Sequence, residues 1–179
     1  GHSVPVASLY LTLDADDYSI LATESRVEQV KIAHNLRLDE LEDAFTEAHI
    51  DANSGDHAYR DELNLLYRFA GALQTRRGKA GETQDRLDYN FSVESDRVAI
   101  VPRKRGSPSD KVVSELMILA NSTWGTWLAE LRVPAIYRSQ PSMAPGVKVR
   151  MGTRPAPHAG IGVDNYAWST SPLRRYVDL

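Results

Sequence analysis

The chain reads as a mixed α/β fold, with α+β equally compatible, and three observations predict it. Apolar and polar residues alternate strictly in some segments, as in half-buried strands. Apolar residues recur every three or four positions in others, as on helices. The two kinds of segment interleave, separated by clusters of Gly, Pro, Asn and Asp. Composition permits such a fold. Of 179 residues, 42% are hydrophobic and 25% charged, ordinary values for one domain, or a large part of one, with a real core.

Val6 to Leu13 alternates, with Leu9, Leu11 and Leu13 on one face and Ser8, Tyr10 and Thr12 on the other. Asp14 to Asp17 is the turn, and Ser19 to Ser25 returns as a second strand. Val27 to His34 alternates again and is compatible with a third. Leu41, Ala44, Phe45 and Ala48 have helical spacing, which predicts a helix over Leu38 to Ala48. Asn53 to Asp56 breaks the chain, with Asp56 placed to cap the next helix. That helix, His57 to Arg77, carries a stripe of Leu63, Leu66, Tyr67, Ala70 and Leu73 and ends at Gly78.

The small, polar stretch Gly78 to Gln84 is a loop. Leu87 to Val93 and Arg97 to Val101 form a hairpin. Ser109 is the expected cap of the longest helix, which runs to Leu131 with Val112, Leu116, Met117, Ala120, Trp124, Trp127, Leu128 and Leu131 on its apolar side. Ala135 to Arg138 is a short strand. Residues 139–165 hold four prolines and four glycines and read as an extended loop. No internal repeat occurs.

Charge is unevenly spread. The net of −3 covers fourteen acidic against four basic residues in 1–66, and six basic against two acidic in 138–179. A further basic cluster, Arg103-Lys104-Arg105, precedes the long helix. This polarity fits phosphate contacts along one channel better than a uniformly basic surface. No run of 18 apolar residues could span a membrane, so no membrane partner is expected. The absence of cysteine excludes disulfides and fits a reducing, cytoplasmic setting.

Several chemistries find little support. The five histidines show no zinc-ligand spacing. Asp14, Asp16 and Asp17 are hard-cation residue types, yet they sit where a hairpin turn favours Asp anyway. Ser171, His158 and Asp178 could be drawn as a hydrolase triad, but no nucleophile-elbow glycines accompany them. Trp124 and Trp127 lie on the apolar stripe and read as core.

The last fourteen residues, YAWSTSPLRRYVDL, carry the most information. Ser171-Pro172 starts a turn or a helix. If a helix starts at Pro172, Arg174 and Arg175 occupy its first turn, where free N–H groups and the dipole favour an anion. Arginine's planar fork grips phosphate oxygens bidentately, which points to a phosphodiester. The same pair also suits a solvated surface helix.

Tyr166, Thr170, Ser171, Pro172, Leu173, Arg174, Arg175, Tyr176 and Asp178 fall in order on a Tyr-x-x-x-Thr-Ser-Pro-Ile/Leu-Arg-Arg/Lys-Tyr-x-Asp motif. In this the chain resembles the ribonuclease II and ribonuclease R family, in the C-terminal half of its catalytic RNB domain. Asp110 to Asn121 is similar to the family's Glu-x-Met-x-x-x-Asn helix, and Val133 to Gln140 to its Pro-Ala-Ile/Leu-Tyr-Arg-x-His strand. Leu87 to Arg105 is similar to its hairpin, and Val4 to His34 to a pair of strands.

The resemblance implies a mixed sheet of mostly antiparallel strands flanked by helices, with residues 1–179 forming part of an RNB domain. It implies a 3′→5′ exoribonuclease that releases nucleoside 5′-monophosphates from single-stranded RNA processively, with Mg²⁺. Arg174 falls on the catalytic arginine. Arg175, Tyr176, Ser171, Tyr166, Tyr137, Glu115 and Asn121 are the implied RNA-binding or channel positions.

The departures are equally specific. The family's Asp-rich Mg²⁺ motif has no counterpart between Gly1 and Leu179, so the metal ligands are expected from outside. Residues 139–165 form a shorter stretch than the family's, Ser114 stands where some members have a second acid, and no clamp aromatic lies near Thr83. The expected partners are RNA, the N-terminal half of an RNB domain, and OB-type RNA-binding modules. The alternative is a catalytically inactive RNB-like module that binds single-stranded RNA or regulates a nuclease.

Overall fold

The computed structural model describes residues 3–37, 41–82 and 87–172. In chain order the elements are β1 (Ser3–Leu13), β2 (Ile20–Lys31), α1 (Glu47–Asp51), α2 (Arg60–Arg76), β3 (Leu87–Glu94), β4 (Arg97–Lys104), α3 (Pro108–Glu130), β5 (Tyr137–Ser139) and β6 (Arg150–Gly152). The class is the mixed α/β one. Among the described residues the strands form three separate two-stranded antiparallel ladders, β1–β2, β3–β4 and β5–β6, instead of one mixed sheet.

The first hairpin turns where its aspartates predict. Asp14 Oδ1 accepts the N–H of Asp16 at 2.8 Å, and Asp17 Oδ1 accepts that of Ser19 at 2.7 Å, so these carboxylates build the turn. The expected second and third strands are one strand. Because β1 starts as early as Ser3, it offers ladder partners all the way to Lys31, and Ser8↔Arg26 and Ala7↔Val27 pair without interruption. Arg76 fastens the turn to the end of α2 by donating to the carbonyls of Tyr18 (2.7 Å) and Asp17 (2.6 Å). Trp124 Nε1 donates to Ser25 Oγ at 3.0 Å and ties β2 to α3.

The core lies between the 41–50 segment and helices α2 and α3. Leu41, Phe45, Ile50 and Val112 are buried together, with Leu63, Leu66, Tyr67 and Leu116 packed on them. Each such side chain contributes roughly 1.5–3 kcal/mol when fully buried.

Helix boundaries differ from the spacing argument. Residues 38–40 lie outside the described residues. Leu41 to Phe45 forms a turn closed by Phe45 N–H to Leu41 C=O (2.8 Å), and α1 begins after Thr46, whose Oγ1 accepts the His49 N–H at 3.3 Å. Asp56 does not cap α2. The residue before that helix is Tyr59, at φ 62°, and it makes no side-chain cap. The end of α2 is as expected. Gly78, at φ 68°, follows Arg77, and its N–H reaches Thr75 C=O (3.0 Å) while Lys79 N–H reaches Gln74 C=O (2.9 Å). This is a Schellman closure, in which glycine avoids the left-handed penalty.

Helix α3 is capped by Ser107, not Ser109. Ser107 Oγ accepts the Asp110 N–H at 3.2 Å and Pro108 takes the first turn, where its missing N–H costs nothing. Ser109 is buried within the first turn. The buried face of α3 only partly follows the apolar stripe: Val112 is buried and Leu116 packs on the core, but the rest of the buried line is Ser109, Glu115, Asn121 and Gly125, whereas Trp127 and Leu131 are half exposed. The β3–β4 hairpin turns at Ser95 (φ 47°) and Asp96 (φ 63°), the two-residue geometry that matches strand twist. The extended stretch 139–165 contains β6, which pairs with β5 in a three-residue ladder.

Candidate functional site

Residues 166–170 lie in a slot between β5 and α3. Tyr137 bridges Ala167, Arg138 N–H donates to Tyr166 C=O (2.8 Å), and Trp168 N–H donates to Ile136 C=O (3.1 Å). On the other side, Ala167 N–H donates to the backbone C=O of Asn121 (3.1 Å). One helical turn on, Gly125 lies so close that a Cβ there would sit 2.7 Å from Ala167 N. Only glycine allows the segment to approach α3 this closely.

The Asn121 side chain is fully buried and makes four hydrogen bonds. Nδ2 donates to Tyr166 Oη (2.9 Å) and Thr170 Oγ1 (3.0 Å). Oδ1 accepts the N–H groups of Ser169 (3.0 Å) and Thr170 (2.9 Å). The next residue, Ser171, is exposed at φ 55° immediately before Pro172, a conformation a non-glycine residue seldom adopts.

A cleft of about 520 Å³ opens between the end of α2, the first half of α3 and the 160–161 loop. Glu115 and Ser114 line it, as do Arg77, Lys79, Arg105 and Lys111. Its cations already have partners. Lys79 pairs with Glu82 (2.8 Å), Arg105 with Asp88 (2.6 Å), and Lys111 Nζ lies 4.6 Å over the Tyr67 ring. Arg77 is the most enclosed. One guanidinium nitrogen donates to both Glu115 oxygens (2.5 and 2.6 Å), another donates to the Ile161 carbonyl, and Nε is buried without a partner among the described residues.

His158 sits beyond that loop, 3% exposed, its ring edge-on to Tyr166. Nδ1 accepts the Ile161 N–H at 3.3 Å, so the proton belongs on Nε2. Burial, and secondarily the charge of Arg138, hold its pKa below the usual histidine value.

The expected site residues therefore divide. Arg174, Arg175 and Tyr176 lie outside the described residues, as does Asp178. Ser171 is exposed at the end of the slot. Glu115, Asn121, Tyr137 and Tyr166 were expected as RNA contacts, but they are 5%, 0%, 2% and 5% exposed. Glu115 and Asn121 are engaged by protein partners, Tyr166 Oη accepts from Asn121, and Tyr137 Oη is buried. All four side chains are packed among protein groups in this structure. Asn121, Tyr137 and Tyr166 meet around the slot, while Glu115 belongs to the cleft.

Arg77 and Gly125 carry as much of this architecture and were not singled out by sequence, and His158 was considered only as a triad member, not as the buried group it is. Gly125, a glycine inside a helical pattern, was the one available signal. No three His, Asp or Glu side chains gather as a metal site among the described residues. A divalent cation thus has no fitting donor set there.

With this geometry in hand, comparison with known proteins places the chain. The family model described as RNB domain matches residues 1–147. The chain belongs to the RNB domain family. An uncharacterized ribonuclease of Synechocystis sp. is 30% identical over 141 residues, 66% of this chain and 21% of that protein. Among solved structures, an active-site mutant of the Dss1 exoribonuclease from Candida glabrata matches with TM-score 0.73 at 18% identity, over 99% of this chain and 27% of that one. Mycoplasma genitalium RNase R, in complex with ribose-methylated single-stranded RNA, matches with TM-score 0.72 at 15% identity, over 99% and 36%. These likenesses show a shared fold. The chain spans between about a fifth and two fifths of the length of these relatives.

Proposed function

We propose that this chain is the arginine-bearing part of an RNB-type 3′→5′ exoribonuclease that hydrolyses single-stranded RNA processively to nucleoside 5′-monophosphates. The observation that carries the reading is the slot. Within an RNB-family fold, α3 and β5 hold residues 166–170 rigidly, two residues ahead of Pro172-Leu173-Arg174. A guanidinium that meets charge developing on phosphoryl oxygens without reorganising is where electrostatic catalysis gains most. Arg175 and Tyr176 are proposed as phosphate partners beside it. Mg²⁺, when bound, would supply charge neutralisation at the scissile phosphate; its carboxylates are proposed to come from outside residues 1–179.

The test mixes the chain with the N-terminal half of the RNB domain and Mg²⁺ and follows mononucleotide release from single-stranded RNA. Activity should appear in the mixture and in neither part alone. Arg174→Ala should lower kcat by ~10²-fold or more. An unchanged kcat removes the arginine from its role. RNA binding without hydrolysis in the mixture would instead favour the inactive RNA-binding module, a reading motivated by the missing carboxylate set.

A further inference from the structure

We propose that Asn121 and Gly125 form a seat on α3 that dictates the backbone of Ser169 to Ser171, making Asn121 a positioning residue for the chain that leads to Arg174. The inference rests on the nuclease reading for the role of Arg174, though not for the seat itself.

A side-chain amide has two donor hydrogens and one oxygen with two lone pairs. Asn121 uses all four, so none is left for a nucleotide. Three of the four bonds go to Ser169 and Thr170, the residues just before the left-handed Ser171. A staple that merely held the fold together would have no reason to concentrate its bonds there. Strained backbone persists only where its surroundings over-determine it, and here the amide does so from the preceding two residues.

No common replacement has the same capacity. Aspartate loses both donors, serine loses one of the two donors, and glutamine is one methylene too long. Gly125, four residues on and on the same helix face, lets Ala167 lie against the helix, fixing the segment at a second point.

The experiment has two arms. In the 179-residue chain, amide hydrogen exchange is followed by NMR in wild type and Asn121→Ala. Ser169 and Thr170 should lose protection by about tenfold or more, with α2 amides unchanged. Unaltered protection at both overturns the seat, whatever the catalytic result.

In the reconstituted nuclease, kcat and KM are measured for Asn121→Ala, Arg174→Ala and the double variant. Misplacement of a reacting group can cost on the order of 10²-fold, so Asn121→Ala should lower kcat by between roughly 10- and 100-fold with KM little changed. The double variant should be no slower than Arg174→Ala alone. Multiplicative losses would mean that Asn121 acts independently of the arginine and would overturn the positioning role. Should Asn121→Ala not fold, Gly125→Ala takes its place. It leaves the amide intact but pushes on Ala167, and should show the same non-additivity. An Arg174→Ala variant with unchanged kcat removes the arginine's assignment, while the exchange arm still decides the seat.

Discussion

At the scale of single residues, the titrating groups report on packing more than on catalysis. Tyr67 is half buried beside Phe45 and donates to Glu47 Oε1 at 2.7 Å. Burial first, and then this bond and the charge of Glu47, push its pKa up to about 12 from 10.0. A group whose folded pKa is raised keeps its proton longer in the native than in the unfolded state. Its stabilising contribution is therefore complete below pH 10 and is lost as pH climbs toward 12. Tyrosinate absorbance should contain a component titrating near pH 12, and Glu47→Gln should lower its midpoint. His158 behaves oppositely. Its pKa is depressed by burial, so it stabilises the neutral-pH fold and withdraws that support as pH falls below the histidine range.

Among elements, the join between α2 and α3 rests on a buried ion pair. Arg77 and Glu115 have side chains only 14% and 6% exposed, and the guanidinium also holds the 161 carbonyl. Removing one partner strands a buried charge, which typically costs about 3–5 kcal/mol. Urea unfolding of Arg77→Ala should lose about 3 kcal/mol, and Arg77→Met with Glu115→Gln should recover part of it. A loss within about 0.5 kcal/mol would mean that water solvates the pair. Periodicity made both helices visible, and Gly78 correctly marked the end of α2. It failed where side-chain identity and environment diverge. On α3 Asn121 and Gly125 are buried because the segment they receive is backbone and needs hydrogen bonds and room, and Glu115 is buried by its pair with Arg77, whereas oily Trp127 is half exposed. The β5–β6 ladder is three residues long in a proline- and glycine-rich stretch, too short for alternation to register. The Asn121 seat was legible only as a motif position, since its partners lie 45 to 49 residues away.

For the molecule as a whole, the proposed function asks a chain of net charge −3 to bind a polyanion. The acidic excess belongs to residues 1–66, while 138–179 is basic. In that basic part Lys148, Arg150 and Arg154 are exposed and form no ion pair among the described residues, so their counterions are free to be displaced. Binding of single-stranded RNA through them should weaken with salt, log affinity falling by about 0.7 per log salt for each phosphate neutralised. Three contacts give a slope near −2, or roughly a 20-fold loss between 50 and 200 mM. Replacing all three by alanine should flatten the slope by about 2, whereas Glu24→Gln in the acidic half should leave it unchanged. Fluorescence anisotropy with a labelled oligoadenylate across a salt series measures both. Polarity of this kind also explains why overall charge is a poor guide here, because phosphate attraction acts over about 10 Å at 0.1 M salt and responds to one face at a time. Affinity that ignores salt, or a slope insensitive to the triple variant, would shift the RNA path away from this face and leave the acidic half as the surface that engages a partner.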